Sequence, residues 1–151
     1  MKHQRGVNKF EFAIAVSILA VLATVLLVRL NAMQAEAERM EVDLTVRNIR
    51  TGMQVAIGER IMHGQENRIV EVAEANPLDF LGERPRGVND ARVAAAPGHW
   101  AYDPVRRELS YLPRSPEAFA DARELRWRYL ARVDSSGSTI GVSLVALQPQ
   151  R

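Results

Sequence analysis

The chain has 151 residues, enough for one domain and an anchor but not for two sizeable globular domains. It contains no cysteine, which excludes disulfides, thiolate metal centres and thiol catalysis. Its 20 basic and 18 acidic residues leave a formal charge of +2, too balanced for nucleic-acid binding by bulk electrostatics.

The first strong signal is Phe12 to Val28, FAIAVSILAVLATVLLV, which holds no charge. A run of about 17 residues is at the lower edge of what spans a bilayer as a helix. Glu11 and Arg29 bracket it, and Lys2, Arg5 and Lys9 lie ahead of it. Basic residues before an apolar span keep that end in the cytoplasm and send the rest of the chain across the membrane. A cleaved secretory signal needs a shorter run followed by small residues at a cut site. Here the run continues into Arg29-Leu30-Asn31 instead. A plain signal anchor is the second reading.

The third reading turns on Glu11. A carboxylate at the edge of an apolar span is costly unless it finds a partner. Glu11 is the fifth residue after Gly6, in MKHQRG-VNKFE. The basic leader ending in glycine, the fifth-position glutamate and the long apolar run together resemble the prepilin signal of type IV pilins and pseudopilins. That resemblance implies a leader over 1–6, cut by a prepilin peptidase between Gly6 and Val7, with Val7 then N-methylated. The family usually has Phe or Met where this chain has Val7. It also implies that Glu11 neutralises the new amino terminus of a neighbouring subunit in an apolar filament core, a pairing that sets register more than raw stability.

No proline follows the apolar run, and helix-favouring residues continue to about Met62. Val42, Val46, Ile49, Met53 and Ile57 recur at three- and four-residue steps and form one apolar stripe. Glu41, Asp43, Arg47, Asn48 and Arg50 take other faces. One helix from about residue 8 to 62 is expected, roughly 80 Å long at 1.5 Å per residue. Its 7–30 part would lie in the membrane or filament core, and its 31–62 part would pack on a domain. Gly52 and Gly58 weaken the packed part locally.

Residues 63–151 read as an α+β head. Asn76-Pro77 is a turn signal before an apolar cluster, and the stretch 64–98 reads as a variable loop. His99–Asp103 and Glu108–Leu112 form a hairpin, with Trp100, Tyr102, Leu109 and Tyr111 as its apolar positions. Leu125 to Val133 alternates, placing Leu125, Trp127, Tyr129, Ala131 and Val133 on one face. Asp134-Ser135-Ser136-Gly137 turns the chain, and Thr139 to Leu147 returns. The expected fold is pilin-like: a long helix packed on an antiparallel sheet of about four strands over 99–147.

No catalytic constellation is legible. His63 and His99 are isolated and lack the spacing of metal ligands, and the Ser135–Ser138 run is a turn. No enzyme activity, cofactor or metal is expected. Arg126, Arg128 and Arg132 share the outer face of their strand, near Arg106 and Arg107. Such a face could grip phosphates, as in a DNA-uptake or adhesive tip pilin. The favoured reading is a solvated face paired with Glu108, Glu117, Asp121 and Glu124. Loss of Lys2 and Arg5 with the leader would leave 18 basic against 18 acidic residues, so nucleic acid is not an expected partner.

The resemblance therefore implies a structural subunit, a minor pilin or pseudopilin, of a type IV pilus or type II secretion filament. Its partners would be the prepilin peptidase, other pilin or pseudopilin subunits and the inner-membrane assembly platform. It would cross the inner membrane once, with its amino terminus cytoplasmic and its head periplasmic, before entering a filament. A membrane-anchored periplasmic protein that never polymerises is the remaining alternative.

Overall fold

The computed structural model describes residues 9–83, 85, 88 and 96–147. Helix α1 runs from Lys9 to Met62, 54 residues without interruption. The segment contains no proline and only two glycines, so nothing in it breaks the intrahelical ladder. Its second half buries Ala35, Glu38, Val42, Thr45, Val46, Ile49 and Met53 against the head. Of the expected stripe, Ile57 alone is only partly buried.

The sheet is an antiparallel meander in the order β1 (His99–Asp103), β2 (Glu108–Leu112), β3 (Leu125–Val133), β4 (Thr139–Leu147). The strand boundaries agree with the alternation read from sequence. One face carries Trp100, Tyr102, Leu109, Tyr111, Trp127, Tyr129 and Leu144, all buried with the α1 stripe. Trp100 is the aromatic hub, its ring centroid 4.7 Å from Tyr111 and 5.5 Å from Trp127. Such tilted aromatic pairs add roughly 0.5–1.5 kcal/mol beyond their buried area.

Two expectations are corrected. The stretch 64–98 is not loop throughout: it opens with a 3-10 turn (Glu66–Arg68), helix α2 (Ile69–Glu74) and a second 3-10 turn (Pro77–Phe80). Ile69, Val72, Ala73 and Leu78 of these pieces are buried. Single turns are too short to display a period, so their burial is written in contacts instead of pattern. The Asn76 side chain accepts from the Leu78 N–H at 3.0 Å and starts the second turn. The Tyr129 hydroxyl donates to the Val72 carbonyl and ties α2 to β3. The second correction concerns Val133, which is exposed, because the β3–β4 register shifts between Arg132 and Val133.

The two helix glycines differ. A Cβ at Gly58 would meet nothing within 4 Å. Gly58→Ala should therefore raise stability by about 0.5–1 kcal/mol through backbone entropy alone. Thermal unfolding followed by tryptophan fluorescence reads this directly, since Trp100 and Trp127, the chain's two tryptophans, both belong to the core.

Candidate functional site

Among the described residues nothing covers α1 between Phe10 and Leu30, where every residue is exposed. Phe12, Leu19 and Leu26 stand 65%, 64% and 68% exposed. The helix is long and apolar enough to cross a membrane. Its two hydroxyls return to the backbone: Ser17 donates to the Ala13 carbonyl and Thr24 to the Ala20 carbonyl, each at 2.8 Å. Both hydroxyls are thereby satisfied within the helix itself, as suits a lipid-facing surface. Glu11 lies in the first turn of α1. A carboxylate there complements the positive end of the helix dipole. Gly6 and Val7 lie outside the described residues.

Beyond this segment the helix is held by a side chain that sequence reasoning missed. Glu38 is 6% exposed. Its Oε1 accepts from the Tyr111 hydroxyl at 2.8 Å and the Arg114 N–H at 2.6 Å, and Oε2 accepts from the Ser115 N–H at 2.9 Å. The carboxylate thus fastens the chain leaving β2 onto α1. Burial pushes the Glu38 carboxyl up, but the Arg114 N–H, the Tyr111 hydroxyl and the Ser115 N–H outweigh it and hold it below its ordinary value. Burial, and then Glu38 itself, push the Tyr111 hydroxyl well above the usual phenol range. A second tie joins α1 to β4, the last strand in the sheet order, where Arg50 donates to the Leu144 carbonyl at 3.0 Å.

The arginines expected on one strand face are there, and they do not form an unopposed cationic patch. Arg126 meets Glu124 at 2.6 Å and Arg128 meets Glu108 across the strands at 2.7 Å. Of the four acids expected as partners, Glu108 and Glu124 take that role. Arg132 is exposed further along the strand, and Arg106 sits 4.0 Å from Asp103 in the β1–β2 turn. The histidines serve locally. His63 Nδ1 lies 2.7 Å from the Glu59 carbonyl, and His99 Nδ1 lies 3.1 Å from that of Ala96. Among the described residues no group of three or more His, Asp or Glu could hold a metal ion.

No protein-family model, no curated protein and no solved structure matches this chain. The functional reading therefore rests on the residues and the geometry above.

Proposed function

We propose that the chain is a structural subunit of a pilus or secretion filament, a minor pilin or pseudopilin, assembled through α1. The observation that carries the reading is a single unbroken helix divided by environment. Its first half is apolar and uncovered, with Glu11 at its head, and its second half is the spine of a four-stranded head. A plain anchor needs the apolar half but gives no role to an acid at its edge. The proposed route is cleavage after Gly6 by a prepilin peptidase, methylation of Val7 and extraction from the inner membrane by an assembly platform. Within the filament, Glu11 then neutralises a neighbour's amino terminus. The head contributes surface and no chemistry, and the balanced charge and the Arg126 and Arg128 ion pairs argue against a nucleic-acid role.

The test is Glu11→Ala in the full chain. Incorporation into sheared filaments should fall about tenfold or more, since stripping a buried charge of its partner costs roughly 3–5 kcal/mol. Membrane insertion should persist. Unchanged incorporation would leave a non-polymerising anchor as the better description. Independently, the mass of the membrane-embedded protein should correspond to a chain beginning at Val7 and carrying one methyl group.

A further inference from the structure

The sheet ends unevenly at the end remote from the Glu38 clamp. Strand β2 pairs with β3 only from Tyr111 against Leu125 to Glu108 against Arg128, whereas β3 runs on to Val133. The last bond across is the Tyr129 N–H donating to the Arg107 carbonyl at 2.8 Å. Backbone groups alternate sides along a strand, so the N–H and C=O of Ala131 and Val133 point the same way as that bond, past the end of β2. Among the described residues no backbone group meets them there. The outer strands are covered in part, by Val88 bridging to Trp100 of β1 and by Arg50 at the Leu144 carbonyl of β4. The step beside β3 is therefore a short open edge, with Val105 and Val133 as exposed apolar surface around it.

Charge around the step says what fits it. Arg107 and Arg132 are exposed and enter no ion pair among the described residues. They lie on opposite faces of the sheet. Burial pushes the Tyr102 and Tyr129 hydroxyls up and Arg107 draws both back, which places its charge beside the core face. Arg132 belongs to the outer face with Arg126 and Arg128, its Cδ 4.0 Å from where a Cβ on Gly141 would stand. The nearby acids are engaged within their own turns. Asp103 Oδ1 accepts from the Val105 and Arg106 N–H groups at 2.9 and 3.3 Å, and Asp134 Oδ1 accepts from those of Ser136 and Ser138 at 2.8 and 2.9 Å.

A helix cannot use such an edge, because its amides are bonded internally, whereas an extended chain can add to it as a strand. Consecutive residues of an added strand face opposite sides of the sheet, so two adjacent acids would meet one arginine each. This chain contains no two acidic residues in succession, so a second copy does not offer that pattern. We infer that the step receives an extended segment of a different polypeptide, paired to β3 at Ala131 and Val133 and carrying two successive acidic residues among β-branched neighbours. The inference concerns the head alone and does not depend on Gly6, Glu11 or filament assembly.

Capped peptides titrated into the full chain in detergent micelles test it, read from the backbone amide signals of Ala131 and Val133. Val-Thr-Glu-Glu-Thr-Val should bind, and Val-Thr-Lys-Lys-Thr-Val should not. Affinity should fall about threefold with Arg107→Asn or with Arg132→Gln and about tenfold with both, and the loss should shrink as salt rises. Asparagine tolerates the left-handed backbone at position 107, where φ is 54°. N-methylation of alternate peptide amides separates strand pairing from charge. Methyls on one alternate set should abolish binding and methyls on the other should leave it, because only every second amide faces β3. The same effect from both sets, no binding of the glutamate peptide, or equal binding of the lysine peptide overturns the inference. So does an oligothymidine that displaces the glutamate peptide, which would assign the arginines to polyanions at large. A shift of the Ala131 and Val133 signals with protein concentration alone would assign the step to a second copy and overturn it too.

Discussion

Replacing Glu38 with Gln should destabilise the head by about 2–4 kcal/mol at neutral pH, because hydrogen bonds to a buried charged group are strong and a stranded donor adds its own cost. Three donors converge on the carboxylate, two on Oε1 and one on Oε2. A glutamine offers one acceptor oxygen. Its amide must then face either the Ser115 N–H or the Tyr111 and Arg114 pair, donor against donor. Glu38→Ala should cost more, since all three donors lose their partner. Tyr111→Phe should cost less, because the two backbone bonds survive.

The pH dependence has a definite sign. The Glu38 carboxyl is held below its ordinary value of 4.5 in the folded chain. Its contribution is therefore complete above that value and is lost as pH falls through the lowered folded value. The wild-type stability curve should approach that of Glu38→Gln in acid and stay separated from it at neutral pH. Denaturant titration of the full chain in detergent, read by tryptophan fluorescence, measures both. A separation that persists unchanged in strong acid would contradict the clamp.

The second large effect is expected at Gly52. A Cβ there would lie 2.1 Å from the Phe80 carbonyl oxygen and 3.1 Å from the Phe80 Cβ. The obstacle is backbone, so it cannot step aside as a side-chain tip would. Gly52→Ala gains up to about 1 kcal/mol of helix propensity. The forced separation of α1 from the Pro77–Phe80 turn should outweigh this, as overpacking costs about 1–3 kcal/mol and sometimes more. A net loss of about 2 kcal/mol corresponds to a fall in Tm on the order of 10 °C for a head of this size. The pair of opposite signs, destabilising at Gly52 and stabilising at Gly58, tests the helix–turn contact more sharply than either alone. A stabilised Gly52→Ala protein would mean that the turn does not approach α1 so closely.

The regular elements were legible in the sequence because each carries its own periodicity. Strand β3 alternates from Leu125 to Tyr129 with a buried and an open side, and α1 repeats its stripe from Val42 to Met53. Glycine and proline mark the turns between them. Alternation failed at Val133, where a register shift exposed an apolar residue that the pattern had assigned to the core. The outer arginines were also readable as a face, and two of their carboxylate partners were among those expected.

Glu38 was not readable. In the run AEAERMEVD it is one acid among several on what looks like a solvated helix. It is buried because Tyr111, Arg114 and Ser115, between 73 and 77 residues further along the chain, bring their donors to it. Gly52 is similar: its sequence neighbours mark it as a weak point in a helix, and only the approach of Phe80 makes it a requirement. The step beside β3 was hidden as well. Asp103 to Arg107 mark the turn into β2 and alternation marks β3, but how far β3 passes beyond β2 depended on the register between them. Periodicity of 2 and 3.6 residues is a local property and determined the helix, the strands and their order of appearance. The clamp, the close approach and the step are relations between distant segments, and packing decided them.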